Sequence, residues 1–120
     1  MTSEDMIARV NRYYGYVDDG DIESLLSLFS HDAVYSRPGY GPLTGRAEMA
    51  AFYSGERIIK EGRHTLSCIV SQGDHAAVHG SFSGTLKDGR EVNLRFADFF
   101  IDSGGGTFSR RDTFFFTPLV

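Results

Sequence analysis

A chain of 120 residues is the length of one ordinary domain and leaves no room for a second core, so residues 1–120 are expected to form a single unit. Its net charge of -4 argues against a general nucleic-acid binder, which carries a basic stripe. The single cysteine, Cys68, excludes an internal disulfide and a thiolate metal site.

The chain starts Met1-Thr2-Ser3-Glu4-Asp5, acidic and polar, without the basic-then-apolar character of a leader peptide. No apolar run approaches the roughly 18 residues that a membrane span needs. A cytoplasmic protein is the expectation. Met6, Val10, Tyr13, Tyr14 and Val17 recur at helical spacing and make one apolar stripe. Thr2 with Asp5 reads as a capping box, and Gly20 ends this first helix. Asp21 caps a second helix built on Ile22, Leu25, Leu26, Leu28 and Phe29. Val34 and Tyr35 start an edge strand that Pro38-Gly39 must end. A third helix opens at Gly45, runs through Phe52-Tyr53 and closes at Gly62.

Beyond Gly62 the period changes to two. Strands are expected over Arg63 to Ser71, His75 to Leu86, Glu91 to Asp102 and Thr107 to Thr117. Each connector is short and contains glycine, the signal of antiparallel hairpins. Long antiparallel strands coil, and a coiled sheet with helices on one face leaves a concave space where a pocket forms. The fold class is therefore α+β: a cone-shaped barrel in which three N-terminal helices pack on a strongly curved, mainly antiparallel sheet around one pocket. Phe114-Phe115-Phe116 puts aromatics on both faces of the last strand, which favours a homodimer.

Several residues stand out as chemistry. Asp98 lies between Ala97 and Phe99 in an apolar strand, where a carboxylate is costly unless paired or protonated. Protonated, it can donate a hydrogen bond to a ligand; its structural alternative is an ion pair with Arg111 or Arg95. Arg111 and Thr113 face the same cavity from the next strand. Arg37 suits an oxygen anion at the pocket mouth. Phe52, Phe96, Phe100 and Phe115 supply an apolar lining. Tyr13 or Tyr14 reaches the pocket; helical spacing does not say which. His64 shares its strand face with Leu66, Cys68 and Val70, and Cys68 reads as a small core residue. His79, Ser81, Ser83 and Thr85 make one face of their strand polar, with Val78, Phe82 and Leu86 buried behind. No phosphate loop or nucleophile elbow is present. Histidines and acids do not fall at close metal-ligand spacings, although His64, His79 and Asp98 can converge in principle. No metal or cofactor is expected.

These stretches, Tyr13 through Asp21, Leu28 through Val34, Gly45-Arg46 with Phe52-Tyr53, and Arg95 through Phe100, resemble the nuclear transport factor 2-like superfamily over nearly the whole chain. The likeness is to its SnoaL-like, ketosteroid isomerase-like and scytalone dehydratase-like branch, which holds enzymes and non-enzymatic binders. Likeness to ketosteroid isomerase implies Tyr13 and a protonated Asp98 as enolate stabilisers. Its proton-moving aspartate precedes a proline, where this chain has Arg37, which cannot shuttle protons. Likeness to scytalone dehydratase and the bile-acid dehydratases implies Tyr14, Asp19 and His64 acting together, Asp19 orienting the imidazole. The expected activity is a cofactor-independent cyclase, isomerase or dehydratase on a hydrophobic oxygenated small molecule, polyketide-like or steroid-like. One alternative is a non-catalytic ligand-binding or dimerisation module. Another is epoxide opening through Asp98, Arg111 and Asp112 or Arg95.

Overall fold

A computed structural model describes residues 2–116. Helix α1 (Ser3–Asp19) starts on the expected reciprocal cap: Asp5 N–H donates to Thr2 Oγ1 at 3.1 Å and Thr2 N–H to Asp5 Oδ2 at 3.2 Å. It stops at Gly20, whose φ of 74° is left-handed and suits glycine. Its buried stripe is Met6, Val10, Tyr13, Tyr14 and Val17, with Arg9 buried beside it and paired to Asp102 at 2.7 Å. Asp21 caps α2 (Ile22–Ser27) through Ser24 N–H. No described helix is long and apolar enough to cross a membrane.

The second helix is shorter than its apolar run. Phe29 opens strand β1 (Phe29–Ser36), because Phe108 N–H donates to the Leu28 carbonyl and the Phe29 and Phe108 rings meet 5.4 Å apart. Strand β1 is accordingly not an edge. It lies between the two-residue β2 (Leu43–Thr44) and the last strand, β6 (Phe108–Phe115), with which it runs parallel. Thr117, expected as the end of β6, lies outside the described residues.

Helix α3 (Gly45–Ala51) passes into one wider π-helical turn, Phe52–Glu56, and ends well before Gly62. Gly62 belongs to β3 (Ile59–Gln72), opposite Gly84 of β4 (His75–Leu86). A Cβ on Gly62 would stand 2.2 Å from the Phe82 ring, and one on Gly84 would stand 2.6 Å from both that ring and the Glu61 carbonyl. This glycine pair is the seat of Phe82, not a helix stop. Strand β4 and β5 (Glu91–Asp102) have the expected limits.

The six strands order β2-β1-β6-β5-β4-β3, and every pair except β1–β6 is antiparallel. The result is a curved open sheet with the helices on its inner face. Phe82, Phe96 and Phe100 point inward against the α1 stripe. On β4, Val78, Phe82 and Leu86 are buried while His79, Ser81 and Ser83 are exposed, as the alternation predicts. On β3 the alternation breaks. Leu66 pairs with Gly80 and Cys68 with His79, so one extra residue bulges and the faces exchange. Ile69 therefore points inward, whereas Cys68 and Val70 are exposed rather than sharing His64's face.

Candidate active site

The concave side encloses a cavity of about 150 Å³, room for roughly ten waters or a one- to two-ring organic molecule. Its floor is apolar: Val17, Ile59, Phe82, Leu86, Val92, Leu94, Phe96 and Phe115. Its polar groups are Tyr13, Tyr35, Arg37, Tyr53, Arg57, His64, Arg111 and Thr113. No Asp or Glu is among these lining residues.

His64 is held by Asp18. The histidine N–H donates to Asp18 Oδ2 at 2.9 Å, and Nδ1 lies 2.6 Å from Asp18 Oδ1. The ring is walled by Phe82, Tyr14 and Phe96 at 4.8, 5.1 and 5.4 Å. Nε2 makes no hydrogen bond to a described residue. In the neutral ring, Asp18 draws the proton to Nδ1 and leaves a lone pair on Nε2. The orienting acid is thus Asp18 and not Asp19, which is exposed. One residue on a helix turns a side chain by about 100°. Asp18 sits four residues after Tyr14, on the same face of the helix.

Asp98 is fully buried and accepts from three donors: Tyr14 hydroxyl, Thr113 Oγ1 and, at 2.8 Å, Arg111 Nη2. It does not line the cavity. Both oxygens are turned toward donors, so the structural alternative of an Arg111 ion pair is the one adopted. Tyr14, spent on Asp98, does not line the cavity; Tyr13 does.

Arg111 is the hub. Its guanidinium lies 4.5 Å over the rings of both Tyr13 and Tyr35. Nη1 donates to the Tyr13 hydroxyl and, at 3.3 Å, to that of Tyr53. The two hydroxyls are 2.5 Å apart, so whichever donates to the other leaves one O–H for a ligand. Burial pushes the Tyr13 hydroxyl well above the usual tyrosine range, against the pull of Arg111. Burial, with the Tyr35 hydroxyl adding, pushes Tyr53 up to about 12. Tyr14 is raised by burial and then by the Asp98 charge. Burial alone would lower Arg111, but Asp98 and the tyrosines outweigh it and the guanidinium stays charged. Tyr53 was not singled out by the sequence because an ordinary helix puts only Phe52 inward. The π-helical turn brings both to the core side.

Of the expected lining residues, Arg37, Phe96, Arg111, Thr113 and Phe115 face the cavity. Phe52 and Phe100 do not; they are core behind it, Phe52 against Tyr53 and Phe100 against Tyr13 and Phe108. Of the residues suggested for epoxide opening, Asp98 and Arg111 meet, but neither Asp112 nor Arg95 joins them. Asp112 pairs with Arg110 at 3.0 Å, and the exposed Arg95 meets His79 on the outer face. His79 therefore lies on the sheet face opposite to His64 and Asp98. Among the described residues no group of three His, Cys, Asp or Glu side chains is placed to hold a metal ion.

Helices on one face of a curved six-stranded sheet, with a ligand-sized cavity between, are the fold this chain shares with nuclear transport factor 2-like proteins. Residues 10–105 match the SnoaL-like domain, and the chain belongs to that family. An NTF2-like protein of unknown function from Burkholderia pseudomallei K96243 superposes with a TM-score of 0.85 at 21% identity, over 96% of this chain and 92% of that one. The epoxide hydrolase/cyclase-like enzyme SalBIII, of pyran ring formation in the polyether salinomycin, gives 0.84 at 18% identity over 98% and 95%. TerC, crystallised with polyporic acid, gives 0.81 at 24% identity over 92% and 90%.

Proposed function

We propose that this protein is a cofactor-independent acid–base enzyme acting on a hydrophobic, oxygenated small molecule by isomerisation, cyclisation or dehydration. The observation that carries this is the Asp18–His64 pair, which leaves Nε2 free on a ring lining an apolar cavity that also holds the Arg111–Tyr13–Tyr53 cluster. Nε2 takes a proton from the carbon beside a substrate carbonyl, and Asp18 stabilises the imidazolium formed. The carbonyl oxygen, becoming an enolate, accepts from the free tyrosine hydroxyl, with the Arg111 charge behind it. The imidazolium returns the proton to another carbon in isomerisation, or to a departing hydroxyl in dehydration. Asp98 touches no substrate in this scheme; it positions Arg111.

The test is deuterium uptake from D2O into the α-carbons of a panel of aryl ketones, followed by NMR. Wild type should catalyse exchange, and His64→Gln should lose roughly 100- to 10,000-fold of it. Equal exchange by both proteins would sink the reading. A binding role without turnover is the rival that the closed Asp98–Arg111 pair favours; it predicts saturable binding with no exchange by wild type.

The outer face supports self-association. Phe99, Phe114 and Phe116 are exposed there at 44%, 55% and 71%, with the Phe99 and Phe114 rings 5.8 Å apart. A homodimer through this face is part of the proposal.

A further inference from the structure

Three arginines and a histidine line the cavity, and no acid does, in a chain whose net charge is -4. The positive lining is therefore local and built. Asp98 neutralises only one of the arginines, Arg111. Arg37 and Arg57 make no ion pair with a described residue, and the Nε of each is buried with no hydrogen-bond partner there.

A buried guanidinium N–H left without an acceptor costs free energy, and a shielded charge without a counterion costs more. Folds retain such groups where something else supplies the acceptor. Arg37 is also held in place before any ligand arrives. Its guanidinium stacks 5.2 to 5.4 Å from the rings of Phe115, Phe52 and Tyr40. Stacking fixes the plane and leaves the N–H edge free, the geometry that suits a planar carboxylate. Arg57 stands 5.8 Å over the Tyr53 ring, next to the half-exposed Ile58 at the rim. The rest of the lining, around Phe82, Leu94 and Phe96, is apolar and takes the body of a ligand.

We infer that the cavity's ligand is a hydrophobic carboxylate, its apolar body against the sheet and its charge held at the mouth by Arg37 and Arg57. The inference rests on the cavity being the ligand site of the proposed function and not on the reaction performed there. Bringing the anion to this end also orients the molecule, since no second set of unpaired cations lines the cavity among the described residues.

The test compares two probes of equal shape, naphthalene-2-carboxylate and naphthalene-2-carboxamide, by isothermal titration calorimetry near neutral pH. Wild type should bind the carboxylate roughly tenfold or more tightly than the amide, the advantage shrinking as salt is added. In the double variant Arg37→Gln/Arg57→Gln the two probes should bind alike. The wild-type comparison needs no variant to fold. Failure of the carboxylate to bind, parity of the two probes in wild type, or a preference that survives the double substitution overturns the inference. Exchange into neutral aryl ketones with no carboxylate preference removes this inference and keeps the acid–base reading. Carboxylate binding without any exchange does the reverse.

Discussion

Asp18 grips His64 at two points, its backbone N–H at 2.9 Å and its Nδ1 at 2.6 Å, across 46 residues of sequence. One carboxylate thereby fixes both where β3 passes the end of α1 and which ring nitrogen is left without a protein partner. Asp18→Asn should lower exchange by about 10- to 100-fold, because the imidazolium loses its counter-charge, while Asp19→Asn should leave it unchanged. Ring 15N shifts of His64 supply a readout that simple destabilisation does not move. Neutral His64 should show a protonated Nδ1 and a bare Nε2 in wild type, and a tautomer mixture in Asp18→Asn. Loss of activity in Asp19→Asn instead would reverse the assignment.

Gly84, across the register from Gly62, and Gly15 should respond in opposite ways to the same small substitution. An alanine at 84 puts its Cβ 2.6 Å from a backbone carbonyl and from the Phe82 ring, which itself walls His64. Overpacking of this kind costs about 1–3 kcal/mol. Gly15, exposed in the middle of α1, has nothing within 4 Å of an added Cβ. Gly15→Ala should be neutral or stabilise by up to about 1 kcal/mol through helix propensity. Urea midpoints for the two variants should move apart; equal shifts would contradict the packing described for Phe82.

Periodicity made most of the architecture readable. The α1 stripe, its capping box, Gly20 and the limits of β4 and β5 all follow from local rules that tertiary contacts did not override. Departures occur where a distant partner decides. Phe29 leaves its helix for a parallel strand whose partner is 79 residues away, a contact no local window contains. Gly62 looked like a helix stop because its real reason, the Phe82 ring, arrives from the next strand. The bulge after Leu66 adds one residue, and period two then carries Cys68 and Val70 to the other face. In the site, Asp98, Arg111, Thr113 and His64 were legible because polar residues interrupt apolar faces. Asp18 and Tyr53 were not, because each needed an angular position along a helix to better than one residue.

Asp98 and Arg111 form a buried pair on neighbouring strands, at side-chain exposures of 0% and 5%. Arg111→Met strands the carboxylate and should cost about 3–5 kcal/mol in urea unfolding. Asp98→Asn leaves the guanidinium without its counter-charge and should cost a similar amount. The double variant should recover part of the loss, a positive coupling that a cycle measures directly. Strict additivity would mean that the pair does not act as one unit.

For the outer face, sedimentation equilibrium should find a dimer for the wild type at micromolar concentration. Phe114→Glu puts a carboxylate beside Phe99 and within the exposed aromatic patch. It should shift the protein to monomer while leaving the inner cavity, on the opposite face of the sheet, able to bind naphthalene-2-carboxylate. A wild type that stays monomeric would remove the homodimer from the proposal.

The buried tyrosines set an alkaline limit to stability. Burial raises Tyr13, Tyr14 and Tyr53, the last up to about 12, so the fold holds all three in the neutral form. In the unfolded chain they ionise around pH 10. Below that pH both states carry the phenolic proton and the contribution of these groups is fully present. Above it the unfolded state binds fewer protons than the folded one, so stability falls as pH rises. The unfolding free energy should therefore hold level from these groups up to roughly pH 10 and then decline, with their phenolate absorbance appearing only as the chain unfolds. Tyr53→Phe removes one of the three and should make the decline shallower. Phenolate absorbance from Tyr13, Tyr14 and Tyr53 in protein that is still folded, with no loss of stability, would show that their hydroxyls are not buried as described.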